Sequence, residues 1–289
     1  MNDYMERRWT SRDGLKLFAR DYAGAGGEAR LPIICLHGLT RNSKDFADVA
    51  PRLAATGRRI LVPDVRGRGL SDRDPDPSHY APKIYARDVL DLMRSLGLAR
   101  AVFLGTSMGG IITMSMMAMR PTAVAAAILN DVGPEVAPEG IARIMSYVGQ
   151  KVDVRDWNEA ADYVRLTNGA AFPDYDEADW GRFARNVFRD NGGVPELDYD
   201  ARILLPLLKL KPGQHKQLAW FLFRWLARTR PTLLVRGAKS DVITPAIADK
   251  MARKAPGMRR IDVPGVGHAP TLTEPAAVDA IDQFLNKLG

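Results

Sequence analysis

The sequence predicts an α/β fold: a mostly parallel sheet flanked by helices, with an inserted helical cap. Three observations predict it. Short, unbroken apolar runs alternate with longer amphipathic stretches over residues 15–129. The alternation stops over residues 133–228, which hold 13 of the 22 aromatic residues of the chain. It then resumes to the end. A strand covered on both faces reads as a continuous apolar run, and strand–helix–strand alternation at this pitch requires parallel crossovers.

Residues 15–22 alternate as a strand does, and Leu31-Pro32-Ile33-Ile34-Cys35-Leu36 is an apolar run that ends at His37-Gly38. Residues 44–55 read as a helix. Arg59-Ile60-Leu61-Val62-Pro63 is the next strand, stopped by Asp64. Residues 81–96 place Ile84, Val89, Leu92, Met93 and Leu96 near helical spacing, and Gly97 closes that helix. Ala101-Val102-Phe103-Leu104 is a buried strand, residues 107–119 a helix ended by Arg120-Pro121, and residues 124–129 another strand. From 133 to 228 short amphipathic helices replace strand runs, and aromatics such as Tyr147, Trp157, Trp180, Phe183, Trp220, Phe221 and Trp225 supply an apolar face. The domain division is therefore a core of 1–132 and 229–289 and a cap of 133–228. Thr232-Leu233-Leu234-Val235, a helix over 245–253, Arg260-Ile261-Asp262-Val263 and a helix over 275–288 complete the core.

Composition narrows the function. The chain has 289 residues, enough for a large core without disulfide staples, and its single Cys35 excludes an intrachain disulfide. Cys35 reads as a small buried hydrophobe. The net charge of +7 raises nucleic acid and acidic membranes as partners, but the basic pairs Arg7-Arg8, Arg58-Arg59 and Arg259-Arg260 are dispersed among acids. Neither partner is expected. The N-terminus shows no apolar stretch of the secretory type, and the most apolar window, 108–119, is too short to span a bilayer. A cytoplasmic protein is the expectation.

The chemistry concentrates at Gly105-Thr106-Ser107-Met108-Gly109, between a strand and a helix. A sharp turn there lifts the serine hydroxyl above the sheet, and small residues two before and two after let strand and helix approach. A serine needs a base and a group that orients the base. Of the four histidines, His268 lies in a glycine-rich loop after the last strand and is the expected base; His79 and His215 read as surface residues and His37 as structural. Two acids follow strands at the same edge. Asp241, in a turn that launches a helix, is the expected partner; Asp131, in Asn130-Asp131-Val132, is the alternative, read as a holder of loop amides. The backbone amides of Met108 and Leu39 are the expected oxyanion donors. Gly38 and Trp220 are expected to touch substrate. Arg66, Arg68 and Arg73 read as fixing a surface loop beside the site, and the methionines of 108–119 as helix packing, with Met108 alone at the pocket.

With these residues in view, the chain resembles the α/β-hydrolase fold family. The resemblance rests on His37-Gly38, on Asp64-Val65-Arg66-Gly67-Arg68-Gly69-Leu70-Ser71-Asp72, on Gly105-Thr106-Ser107-Met108-Gly109-Gly110, on residues 237–245, and on Gly265-Val266-Gly267-His268. It implies an eight-stranded, mostly parallel sheet with a cap between the sixth and seventh strands. It also implies Ser107, Asp241 and His268 as nucleophile, acid and base, with no metal or organic cofactor. Leu39 departs from the aromatic residue that relatives often carry after His-Gly. The expected reaction is hydrolysis of carboxylic esters with small to medium acyl groups through an acyl-enzyme. A lactone is the neighbouring substrate class. Carbon–carbon bond hydrolysis, cofactor-free peracid formation and a non-catalytic receptor are the competing readings; Thr106, where carbon–carbon hydrolases usually carry Asn, weighs against the first.

Overall fold

The computed structural model describes residues 3–26, 30–211 and 213–288. In chain order its elements are β1 (Met5–Thr10), β2 (Lys16–Tyr22), β3 (Ile33–Leu36), α1 (Val49–Ala54), β4 (Ile60–Pro63), α2 (Pro82–Ser95), β5 (Ala101–Thr106), α3 (Met108–Met119), β6 (Val124–Asn130), α4 (Pro138–Tyr147), α5 (Trp157–Asn168), α6 (Glu177–Val187), β7 (Phe188–Asn191), β8 (Val194–Leu197), α7 (Leu204–Leu208), α8 (Lys216–Thr229), β9 (Thr232–Gly237), α9 (Pro245–Lys254), β10 (Arg259–Val263) and α10 (Pro275–Leu285). Eight strands form one sheet in the order β1-β2-β4-β3-β5-β6-β9-β10. The first two run antiparallel and the other six are mutually parallel. Seven of these strands are the ones read from the sequence, and the eight-stranded, mostly parallel sheet is the one the family resemblance implies.

Strand side chains alternate between two cores. Ile34, Leu36, Phe103, Leu129 and Leu234 face a cluster shared with α2, α3, α8 and α9. Ile33, Cys35, Val102, Leu104, Ile128 and Val235 face the opposite cluster, closed by Phe46, α1 and α10. Helix α3 is buried along nearly its whole length between α2 and α8, which is why its sequence is apolar on all sides.

The departures from the sequence reading have local causes. Strand β1 shows no apolar run because it is an edge strand in which only Trp9 is buried. The helix expected over 44–55 is split into a 3-10 turn, Ser43–Phe46, capped by the Asn42 side chain, and α1. Pro51 has no N–H to give and fits only a first turn, so the helix restarts at Val49. Inside the cap β7 and β8 form a hairpin where no strand was expected, turning on Gly192 and Gly193, whose φ values of 65° and 93° suit a two-residue hairpin loop. Helix α8, assigned to the cap by the boundary at 228, contributes Leu222, Phe223 and Leu226 to the main core and packs on α3. Helices α5 and α6 and the hairpin have a separate cluster around Phe172, Trp180 and Phe188. Among the described residues no helix is long and apolar enough to cross a membrane.

Register positions the site. Leu36, Gly105, Leu129 and Leu234 are partners across β3, β5, β6 and β9. Two residues further along, Gly38, Ser107 and Asp131 therefore emerge side by side at the carboxyl edge.

Candidate active site

Ser107 stands between β5 and α3 with φ 50° and ψ −114°, a left-handed conformation that a serine adopts only under constraint. The constraint is the close approach on either side. A Cβ on Gly105 would lie 2.5 Å from the Gly109 carbonyl carbon, and one on Gly109 would lie 2.1 Å from the Leu36 carbonyl oxygen. The Ser107 N–H donates to Asn130 O at 3.0 Å, and its carbonyl accepts from Gly110 at 2.9 Å. The Asn130 side chain donates to Thr106 Oγ1 at 3.0 Å and to Pro270 O at 2.8 Å, tying the bend to the loop that carries His268.

His268 meets Ser107: Nε2 lies 3.0 Å from Ser107 Oγ. Its Nδ1 lies 2.8 Å from Asp131 Oδ2. A carboxylate accepts, so Nδ1 carries the proton and the Nε2 lone pair faces the hydroxyl. Asp131 is fully buried, takes φ 51°, and accepts from Gly237 N–H at 3.1 Å on Oδ1 and from the Ser240 hydroxyl at 2.6 Å on Oδ2. Its own N–H donates to Val235 O at 2.7 Å. These contacts leave the carboxylate no freedom to turn from the imidazole.

The acid behind His268 is thus Asp131, and the expectation of Asp241 is corrected. Asp241 lies four residues beyond the end of β9, in a turn that faces the cap. There Arg143 of α4 holds it through Nε at 2.6 Å and Nη2 at 2.9 Å. Burial pushes the Asp241 carboxyl up, but Arg143 more than offsets this and keeps it below the usual range. Reading Asp131 as a holder of amides was half right: its carboxylate accepts from the Gly237 N–H while also facing the imidazole.

The loop after β3 abuts the serine, since a Cβ on Gly38 would lie 3.9 Å from Ser107 Cβ. His37 fixes that loop: Nδ1–H donates to Gly38 O at 2.8 Å, and Nε2 accepts from Val65 N–H at 3.0 Å. Full burial pushes this imidazole down to about 4, so it stays neutral. Among the described residues the backbone N–H groups of Leu39 and Met108 have no acceptor within the chain, as donors awaiting an oxyanion require.

The remaining expectations divide. Arg66 and Arg68 are not surface residues; each is 1% exposed, and only Arg73 is exposed. Arg66 is enclosed by Asp13, Asp74 and Asp88. Asp13, Asp74 and His79 come close enough to share a cation, but Arg66 already occupies both carboxylates. Trp220, expected at the substrate, is committed elsewhere: its indole N–H donates to Glu135 at 3.2 Å and Lys250 lies 4.7 Å over its ring. The cap instead reaches the histidine through the loop after α5, where Ala171 O accepts from Gly267 N–H at 2.7 Å and Phe172 stacks on Tyr175 at 4.6 Å. Only the aromatic density of the cap hinted at these residues.

A parallel sheet that presents serine, imidazole and buried carboxylate in line along its carboxyl edge defines a hydrolase. The family model described as alpha/beta hydrolase fold matches residues 32–275, and the chain belongs to that family. It is similar to the 3-hydroxybutyrate-oligomer hydrolase of Cupriavidus necator, at 32% identity over 259 residues that cover 87% of each chain. It is also similar to the 2-(acetamidomethylene)succinate hydrolase of Mesorhizobium japonicum, at 26% identity over 86% of this chain and 87% of that one. Among solved structures, an alpha/beta hydrolase from Novosphingobium aromaticivorans matches with a TM-score of 0.91 and 43% identity, covering 99% of both chains.

Proposed function

We propose that the chain is a carboxylic ester hydrolase that works through an acyl-enzyme on Ser107, and that short oligoesters of hydroxy acids are its foremost substrate class. The observation that carries the reaction is the unbroken relay from Ser107 Oγ through both nitrogens of His268 to Asp131. The substrate class is supported by the similarity to a hydrolase of 3-hydroxybutyrate oligomers and by the apolar aromatic cap loop beside the histidine.

The steps follow from the geometry. Ser107 Oγ attacks the ester carbonyl as Nε2 of His268 takes its proton. Asp131 stabilises the imidazolium without itself taking the proton. The carbonyl oxygen gains charge beside the N–H groups of Leu39 and Met108, each able to contribute about 3 kcal/mol to the barrier reduction. The imidazolium then protonates the departing alkoxide, leaving Ser107 acylated. Water enters on the same face and attacks the acyl carbon as Nε2 takes one of its protons; the imidazolium then gives that proton to Ser107 Oγ as the acyl–oxygen bond breaks and the hydroxy acid leaves.

The test is a hydrolysis screen of p-nitrophenyl esters, 3-hydroxybutyrate dimers and trimers, lactones and β-diketones, with wild type and Ser107→Ala assayed side by side. Ester and oligoester cleavage that vanishes in Ser107→Ala is expected. Cleavage confined to lactones or diketones would replace the substrate class, and ester cleavage surviving in Ser107→Ala would remove the mechanism.

A further inference from the structure

We propose that Arg68 is a positioning residue for the anion hole: a buried, uncompensated guanidinium that fixes the two residues donating to the oxyanion and holds positive charge behind them. The proposal rests on Ser107 being the nucleophile.

Arg68 is sealed from solvent, and its contacts converge on the site. Nε donates to Leu39 O at 3.0 Å, Nη1 to Arg66 O at 2.8 Å and to Tyr85 Oη at 3.0 Å, and Nη2 points at Met108 Sδ at 3.7 Å. The guanidinium centre lies 5.0 Å from the Tyr85 ring centroid and 5.6 Å from that of Tyr80. Leu39 and Met108, the two anion donors, are thus both held by one side chain. Its backbone is fixed as well: Arg68 bridges to Tyr199 of the cap, with Gly67 O and Gly69 N–H bonded to Asp200 and Asp198.

The charge distinguishes Arg68 from two other buried arginines, Arg66 and Arg236. Among the described residues no carboxylate lies within 4.0 Å of it. Arg66, two residues earlier and equally buried, meets three carboxylates, and the buried Arg236 pairs with Asp262. Burying a cation without a counter-ion costs stability, so packing alone gives no reason for an arginine here. The aromatic faces, carbonyl dipoles and thioether soften that cost without neutralising the charge. The missing negative charge arrives in the tetrahedral intermediate, on an oxygen bound to the amides that Arg68 buttresses. An interaction stronger in the transition state than in the ground state raises kcat and leaves KM nearly unchanged.

The experiment compares Arg68→Met and Arg68→Lys with wild type. Active sites are counted by a fluorophosphonate, and kcat, KM and the inhibition constant of phenylboronic acid, which adds to a serine as a tetrahedral anion, are measured on a p-nitrophenyl ester. Arg68→Met is expected to lower kcat per titrated site by about 30- to 100-fold, to weaken the boronate in proportion, and to leave KM within about threefold. Arg68→Lys, which keeps the charge but not the fork of donors, is expected to recover part of the loss and remain about three- to tenfold below wild type. A merely structural arginine would reduce the titratable fraction and leave kcat per site and boronate affinity unchanged in either variant; that result overturns the proposal. If Arg68→Met does not fold, Arg68→Lys decides alone, and wild-type kcat per site in it refutes the role. Wild-type protein that no fluorophosphonate labels would instead overturn the reading of Ser107.

Discussion

Replacing each acid by its amide separates the two carboxylates. In Asp131→Asn the shape is kept, but the imidazolium loses its counter-charge. The neutral amide also permits the tautomer that presents Nε2–H, rather than a lone pair, to Ser107 Oγ at 3.0 Å. Asp131 is fully buried and makes no contact with solvent that could substitute. The same change in other Ser–His–Asp sites costs about 10⁴-fold, so a fall in kcat of roughly 10³- to 10⁴-fold is expected, with KM little changed. Asp241→Asn removes one side of a pair with Arg143 whose side chains remain 33% and 24% exposed. Such a pair contributes at most about 1 kcal/mol of stability, so kcat should stay within about threefold. The assay is steady-state hydrolysis of a p-nitrophenyl ester, with active sites titrated to exclude misfolded protein. A larger kcat loss in Asp241→Asn than in Asp131→Asn would refute the assignment.

Two further predictions follow from the architecture. Gly109→Ala drives a Cβ to 2.1 Å from Leu36 O, backbone against backbone, and should cost about 3 kcal/mol or more; thermal unfolding that matches wild type would contradict the packing. Neutral His37 has a folded value of about 4 against the ordinary 6.5, so the unfolded chain takes up the proton first. Its contribution is therefore complete above about pH 6.5 and drains by about 3 kcal/mol as pH falls towards 4. Burial raises Asp64 to about 6 and opposes this trend, but it is common to both proteins when wild type is compared with His37→Asn. Denaturant titrations should show a steeper acid loss in wild type, and equal slopes would refute the buried neutral imidazole.

The five inner parallel strands, β3, β4, β5, β6 and β9, were legible because each is buried on both faces and leaves an apolar run; the edge strand β10 is only half-buried and showed through the resumed strand–helix alternation. The edge strand β1 and the β7–β8 hairpin were not, because their side chains are largely exposed and carry no such signal. In the hairpin the Asn191-Gly192-Gly193 turn was the available clue. Ser107 and His268 could be read from their motifs. The acid could not be read from chain order, since Asp131 and Asp241 both fall between serine and histidine. Register decides it: Asp131 is the first residue beyond β6 and neighbours Ser107 across the edge, whereas Asp241 follows a longer turn that carries it to Arg143. Arg68 looked like a loop arginine because burial of a charged residue leaves no mark in its own sequence. Its position shows only once the loop after β4 folds under Leu39 and Met108.

In the proposed mechanism His268, held by Asp131, makes Ser107 nucleophilic. The most direct measurement of this effect is the rate of fluorophosphonate labelling, with the modified residue located by mass spectrometry, in wild type and His268→Ala. A single adduct on Ser107, formed at least about 10³-fold more slowly without the imidazole, is the predicted result. Labelling of Ser107 at an undiminished rate in His268→Ala, or an adduct on another residue, would contradict it.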